Sequence, residues 1–190
     1  AMYKPVIINP TCAEVDLQAI RNNYRRVKDL VTPGKVMAVV KANAYGHGLK
    51  GITKVLAGAG ADFFGVSQVG EGADIRDAGE DVPVLVLGPL IPDEMAAALS
   101  YKLDVTAVSF RNAEAISETA RKHGETARIH VKVDTGMGRV GLPWKTAVEE
   151  IESIIRLTHI DLTGIFTHFT VAVNTRFARE QLNRFFEVIF

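Results

Sequence analysis

The chain has 190 residues, 47% of them hydrophobic, with 22 basic and 22 acidic side chains. This length allows one sizeable hydrophobic core, but it is shorter than the roughly 250 residues typical of a complete (β/α)8 barrel. The charges balance, and no lysine- or arginine-rich cluster is interleaved with aromatic residues, so the sequence gives little support to nucleic-acid binding. Chemistry on a small molecule is the better expectation.

Two further features of the sequence bear on the compartment. No apolar run is long enough to span a membrane, and the N-terminus lacks the pattern of a secretory signal. The single cysteine, Cys12, cannot form an intramolecular disulfide, which agrees with a reducing compartment. We therefore expect a cytoplasmic protein, and we expect no metal site.

Predicted helices and strands alternate along the chain. The first helix begins after Asp16, its predicted N-cap, and ends before Pro33. The predicted strands are short apolar runs bounded by turn residues, at 36–40, 63–66, 84–87, 105–108, 129–133 and 162–166. Further helices are predicted from about 49 to 59, from about 70 to 78, from 92, between Ser109 and Gly124, from 144 to 155 and from 177 to 190.

This alternation predicts an α/β fold of parallel βαβ units with right-handed crossovers. Six units suffice for a doubly wound sheet, whereas a (β/α)8 TIM-type barrel needs two more. Because the sequence stops inside an amphipathic helix, we expect an incomplete barrel of about six βα units. We expect residues 1–190 to be a single domain, the amino-terminal portion of a longer barrel protein.

The stretch from Met37 to Gly48 is the strongest candidate for a functional site. Met37–Val40 is apolar without polar alternation, which predicts a strand buried on both faces. Lys41 follows directly, at the edge of the sheet where α/β folds place catalytic groups. A lysine there is either a nucleophile or base, or a side chain that reaches from the strand end to solvent.

Residues 41–48, KANAYGHG, resemble the signature of the alanine racemases, which use pyridoxal 5'-phosphate (PLP) to interconvert L-alanine and D-alanine. This activity supplies D-alanine for cell-wall peptidoglycan. The resemblance implies that Lys41 binds PLP covalently and exchanges the proton on the D-alanine side. It also implies that Tyr45 contacts the cofactor phosphate and that Val39 and Leu87 line the cofactor.

A second motif, KVDTGMGR at 132–139, follows the fifth predicted strand and resembles another racemase signature. The resemblance implies that Arg139 lies near the phenolic oxygen of the cofactor and binds the substrate carboxylate. In some members the lysine that matches Lys132 is carbamylated and orients this arginine. We expect Asp134 to hold its turn rather than to transfer protons.

A third candidate, His168, ends the sixth predicted strand and matches a racemase histidine that lies against the pyridine ring of the cofactor. A packed or capping histidine is the alternative interpretation of this position. The racemases usually have acidic residues shortly after this histidine, whereas this sequence has a shorter segment at 171–174. The sequence therefore does not predict the conformation of the loop after His168.

The resemblance covers the chain from about Ala13, but only about half of a complete racemase. It implies a homodimer in which a partner subunit supplies a catalytic tyrosine from a carboxy-terminal β-domain. That tyrosine and the arginine expected at the pyridine nitrogen have no candidate here, so we expect the isolated chain to be inactive or weakly active. Two alternatives stay open: a single-domain PLP-binding barrel protein without racemase activity, and a non-catalytic barrel fragment that self-associates through exposed edge strands.

Overall fold

The computed structural model describes residues 11–171, 173 and 175–190. The strands are β1 (Met37–Val39), β2 (Phe63–Val66), β3 (Val84–Val86), β4 (Asp104–Ala107), β5 (Ala127–Asp134), β6 (Leu142–Pro143) and β7 (Ile160–Phe166). The helices are α1 (Leu17–Val31), α2 (Lys41–Tyr45), α3 (Leu49–Gly58), α4 (Val69–Asp77), α5 (Pro92–Ser100), α6 (Phe110–His123), α7 (Ala147–Ile155) and α8 (Thr175–Ile189). None of the helices in the described part is long and apolar enough to cross a membrane.

All strand pairs are parallel, and the predicted α/β fold is confirmed as an incomplete barrel. The sheet runs in the order β1, β2, β3, β4, β5, and β5 also pairs with β6 and β7. All six predicted strands form. The additional strand, β6, has only two residues, which pair with Val133 and Asp134, and it is too short to give a periodic sequence signal.

The hydrophobic core lies between the sheet and the helices, and β5 shows how the sheet separates two environments. Ile129, Val131 and Val133 are fully buried in this core. The alternate residues of the same strand, His130 and Lys132 among them, are polar and lie on the opposite face because successive side chains alternate. A polar inner face is thus built into a strand whose outer face is part of the apolar core.

Two helix ends follow the predicted capping pattern. The Asp16 carboxylate accepts hydrogen bonds from the backbone N–H groups of Gln18 and Ala19, at 2.9 and 3.0 Å. Ser109 accepts from the Asn112 N–H at 3.1 Å, and Gly124 ends α6 in the left-handed region with φ 67°. These contacts satisfy backbone groups that a helix end leaves unpaired.

The prediction that the strand before Lys41 is buried on both faces is wrong. Val39 is 40% exposed, because its side chain lies on the face of β1 opposite Ala38, which packs against the hydrophobic core. The prediction of a helix from residue 144 is also corrected: α7 begins at Ala147, because Trp144 continues from β6 and donates its N–H to the Asp134 carbonyl at 3.2 Å.

Candidate functional site

The candidate site residues lie where the parallel strands end. Lys41 follows β1, and Arg139 and His168 lie in the loops after β5 and β7. Partial burial lowers the pKa of His168 below the ordinary histidine value, and the positive charges of Lys132, Arg139 and Lys41 lower it further. Lys41, Arg139 and His168 each follow the carboxyl end of a parallel strand and Lys132 lies near that end of β5, so the four residues lie at one edge of the sheet.

The segment after β1 is a left-handed helical turn, which the sequence predicted only as a turn. Ala42, Asn43, Ala44 and Tyr45 have φ angles between 52° and 54°. Residues with a Cβ disfavour this conformation by about 1–2 kcal/mol each. Asparagine tolerates this conformation better than most residues, and the turn contains no β-branched residue, for which a positive φ is a strong outlier. The partly buried Lys41 stands at its start.

Hydrogen bonds within the motif hold this turn. The Asn43 side-chain oxygen accepts from the Leu49 N–H at 2.8 Å, and the Asn43 carbonyl accepts from the Gly48 N–H at 3.0 Å. The His47 Nδ1 atom lies 2.8 Å from the Ala44 carbonyl, so this histidine shapes the turn. Tyr45 is 60% exposed and its side chain is free to meet a ligand at the rim.

A carboxylate from the next βα unit also binds the turn. Glu71 in α4 accepts a hydrogen bond from the Ala42 N–H through Oε1. Its Oε2 accepts from the N–H and hydroxyl of Ser67, both at 2.9 Å, and from the Gln68 N–H at 3.3 Å. Partial burial raises the pKa of the Glu71 carboxyl, but these hydrogen bonds outweigh burial and hold the pKa below its ordinary value. This contact was not predicted from the sequence.

An apolar surface formed by Met37, Val39 and Leu87 lies beside the turn that follows Lys41, on the face of the sheet where Gly65 has no side chain. A Cβ atom on Gly65 would lie 3.0 Å from Met37 Sδ, 3.1 Å from Leu87 Cδ1 and 3.4 Å from Val39 Cγ2. The absence of that atom lets the three side chains meet. Val39 and Leu87, both predicted to line the cofactor, therefore lie together at this place.

The loop after β5 is organised around the Asp134 carboxylate. One oxygen accepts from the N–H groups of Gly136, Met137 and Gly138 at 2.8–3.1 Å, and the other accepts from the Arg139 N–H at 3.1 Å. Burial raises the pKa of Asp134, but these four bonds prevail and lower it. Asp134 thus holds its turn, as predicted, and the loop presents an exposed Arg139 side chain.

Lys132 lies beneath this loop and is 4% exposed. Its Nζ atom is 5.1 Å from the centre of the Phe166 ring. Burial lowers the pKa of Lys132, the charge of Arg139 lowers it further, and the charge of Asp134 opposes both. Within the described part of the chain, Lys132 forms no ion pair with a carboxylate.

Helix α8 connects the loops after β5 and β7 through a buried amide that sequence reasoning missed. Gln181 is fully buried, and its amide nitrogen donates to Thr135 Oγ1 and to the His168 carbonyl, both at 3.2 Å. Its oxygen accepts from the Thr170 N–H at 2.9 Å. Arg184 adds a bond of 2.8 Å to the Thr135 carbonyl. The sequence feature that could have indicated this residue is a glutamine at one of the apolar positions of α8.

Part of the loop after His168 is not described. The shorter segment that the sequence shows at 171–174 includes Ala172 and Asn174, which lie outside the described residues.

Over the residues that are described, no group of three or more histidine, cysteine, aspartate or glutamate side chains forms a metal site. The chemistry available at the site is therefore that of a lysine amine, a guanidinium, a low-pKa histidine and an apolar surface.

Comparison with known proteins identifies close relatives of this arrangement. The family described as "Alanine racemase, N-terminal domain" matches residues 15–189. The alanine racemase of Desulforamulus reducens is 40% identical over 184 residues, which cover 95% of this chain and 50% of that protein. The alanine racemase of Methanococcus maripaludis is 41% identical over 172 residues, 90% of this chain and 46% of that protein.

Solved structures show the same relationship. The alanine racemase of Clostridium difficile 630 superposes with a TM-score of 0.92 at 34% identity, over 97% of this chain and 50% of that chain. The chain thus spans about half the length of the curated relatives it matches.

Proposed function

The chain belongs to the family of alanine racemase N-terminal domains, and we propose that its parent protein is an alanine racemase that uses PLP. The observation that carries this proposal is the position of Lys41, at the start of a strained turn in the 41–48 motif and at the same edge of the sheet as Lys132, Arg139 and His168. The reaction is the interconversion of L-alanine and D-alanine.

The side chains at this edge fit PLP by their chemistry. The Lys41 amine suits the aldehyde of the cofactor, and the surface formed by Val39 and Leu87 suits an aromatic ring. The exposed hydroxyl of Tyr45 suits the phosphate, and a histidine kept neutral by its surroundings, His168, suits the ring face. When bound, PLP makes the α-proton of an amino acid acidic by withdrawing electrons from the α-carbon.

The chain's own residues then have distinct tasks. The Lys41 amine accepts and returns the α-proton on the D-alanine side. The planar guanidinium of Arg139 binds the substrate carboxylate and so fixes which face of the α-carbon meets Lys41. The low pKa of His168 keeps its ring neutral near neutral pH, which avoids a fourth positive charge beside Lys41, Arg139 and Lys132.

Racemisation also needs a base on the opposite face, and none of these residues supplies it. Since the matched relatives are about twice as long, we propose that the parent protein completes the barrel and adds a carboxy-terminal β-domain. A tyrosine from that domain of a partner subunit would serve the opposite face in a homodimer. Residues 1–190 are then the amino-terminal part of the barrel domain and are inactive or weakly active alone. We propose a cytoplasmic location and a role in supplying D-alanine for peptidoglycan.

Labelling with the cofactor tests this assignment. The purified chain is mixed with PLP, reduced with borohydride and analysed by peptide mass spectrometry, with Lys41→Arg as the control. We expect one dominant pyridoxyl adduct on Lys41, because the other lysine of the site, Lys132, is buried. Adducts scattered over surface lysines such as Lys50, at equal levels in both variants, would contradict the assignment.

The two alternatives give different results. A PLP-binding barrel without racemase activity would label on Lys41, yet its full-length form would leave the α-proton of alanine in place. A self-associating barrel fragment would form a discrete oligomer without PLP, which light scattering detects. The racemase proposal predicts that the full-length protein racemises alanine and that Lys41→Arg abolishes this activity.

A further inference from the structure

The left-handed turn after Lys41 needs support from outside the motif. Four consecutive residues with a Cβ, Ala42 to Tyr45, have positive φ angles. Such a conformation persists only where surrounding groups determine it. The far end of the turn is held locally, by the bond from the Leu49 N–H to the Asn43 side chain. The near end, next to Lys41, is held by the Ala44 N–H, which donates to the Val40 carbonyl at 2.8 Å, and by a contact from another element.

That contact is the bond from the Ala42 N–H to Glu71 Oε1. The Ala42 nitrogen belongs to the same planar peptide unit as the Lys41 carbonyl, so fixing its direction fixes that peptide plane. The direction in which the Lys41 side chain leaves the backbone depends on this plane. Glu71 itself is fixed by three donors on its second oxygen, from Ser67 and Gln68. The carboxylate therefore joins the loop after β1 to the loop after β2.

We propose that Glu71 is a positioning residue that holds the peptide plane after Lys41 and thereby aims the lysine amine at the cofactor aldehyde. This inference deepens the proposed function and rests on it. Glu71 touches neither cofactor nor substrate in this role, and it acts only through the Ala42 amide.

The chemistry of the contact requires a carboxylate. All four groups around Glu71 are donors: three backbone N–H groups and the Ser67 hydroxyl. A carboxylate accepts on both oxygens, whereas a glutamine accepts on one oxygen and presents N–H groups with the other atom. Glu71→Gln therefore keeps the size of the side chain, but on one side its NH2 group meets another hydrogen-bond donor. The amide oxygen then faces the three donors of Ser67 and Gln68, so the NH2 group faces the Ala42 N–H and the bond to Ala42 is lost.

Two measurements on the chain test this role. The first is hydrogen exchange of the Ala42 amide, followed by NMR without cofactor. The second is the initial rate of borohydride-trapped PLP labelling at Lys41, relative to labelling at the exposed Lys50 in the same sample. We expect Glu71→Gln to raise Ala42 exchange about tenfold and to lower relative Lys41 labelling about tenfold, the effect of losing one hydrogen bond to a charged group.

Asp74→Asn is the matched control, because Asp74 is an exposed acidic residue one turn further along α4. We expect it to leave both measurements unchanged. Ser67→Ala removes one donor to the second oxygen and leaves the Ala42 bond, so we expect a smaller decrease in labelling. It also provides a second variant should Glu71→Gln fail to fold.

The outcomes separate this inference from the proposed function. Wild-type exchange and labelling in a folded Glu71→Gln variant would overturn the positioning role while Lys41 stays the cofactor lysine. Faster Ala42 exchange with unchanged Lys41 labelling would also overturn it, since the bond would then be structural only. If the wild-type chain labels Lys41 no faster than Lys50, the proposed function of Lys41 fails, and the positioning role fails with it.

Discussion

Replacing Gln181 with methionine tests whether α8 holds the loops after β5 and β7. The methionine side chain has a similar volume, so the change removes hydrogen bonds without opening a cavity. Three bonds are lost, to Thr135 Oγ1, the His168 carbonyl and the Thr170 N–H. At about 1 kcal/mol for each bond, we expect the free energy of unfolding to fall by about 3 kcal/mol. Urea unfolding followed by far-UV circular dichroism measures it.

Two controls calibrate this result. Gln18→Met alters an exposed glutamine whose side chain bonds within its own helix, to Asn22 and Arg21, so we expect a change of less than about 0.5 kcal/mol. Ser117→Ala removes one buried bond, to the Thr158 carbonyl, far from the site, and we expect a loss of about 1 kcal/mol. The NMR signals of the His168 ring should move in Gln181→Met and not in Ser117→Ala. A Gln181→Met variant as stable as the wild type would show that these three bonds do not hold the loops together.

Three further predictions concern the same loops. Asp134→Asn should lower the free energy of unfolding by about 2 kcal/mol, because an amide cannot accept on both sides. Since the folded-state pKa of Asp134 is depressed, its stabilisation is present above the ordinary value of 3.8 and is lost as the pH falls through the folded-state value. Gly141→Ala should cost at least about 2 kcal/mol, because φ is 127° and a Cβ would lie 2.9 Å from the Asp134 nitrogen and the Lys132 carbonyl oxygen. NMR titration should show His168 losing its proton below pH 6.5, and Lys132→Met should raise that pH.

A specific result would contradict each of these three predictions. A constant difference in stability between Asp134→Asn and the wild type, from neutral pH down to acid, would show that the charge of the carboxylate has no part in the loop. Gly51→Ala is the control for Gly141, because a Cβ there has open space within α3, and it should stabilise by about 0.5–1 kcal/mol. Equal melting temperatures for the two glycine variants would contradict the strain argument. If Lys132→Met leaves the pH at which His168 loses its proton unchanged, the charge of Lys132 does not act on His168.

The sequence predicted those parts of the fold that depend on neighbouring residues. Asp16 and Ser109 cap helices as expected, because capping needs only a side-chain oxygen and the next few N–H groups. The six longer strands were found because each is a run of apolar residues between turns. Because parallel strands alternate with helices, the carboxyl ends of the strands lie at one edge of the sheet. Lys41, Arg139 and His168 were therefore expected at that edge.

The missed features depend on contacts between distant parts of the chain. Glu71 bonds to an amide 29 residues away, and Gln181 bonds to a hydroxyl 46 residues away. Neither position carries a local signal beyond a polar residue on a helix. The left-handed turn after Lys41 contains alanine and tyrosine rather than glycine at its positive φ angles, so propensity argued against it. The exposure of Val39 depends on which face of β1 packs against the helices.

We propose that Lys41 moves the α-proton of alanine in the parent protein. The most direct test incubates the full-length protein with PLP and L-alanine in deuterium oxide, and analyses the product by chiral chromatography and mass spectrometry. We expect D-alanine with one deuterium at the α-carbon, and no D-alanine from the Lys41→Arg variant. D-alanine formed equally by both variants, or a wild-type protein that binds PLP and leaves the α-proton in place, would contradict it.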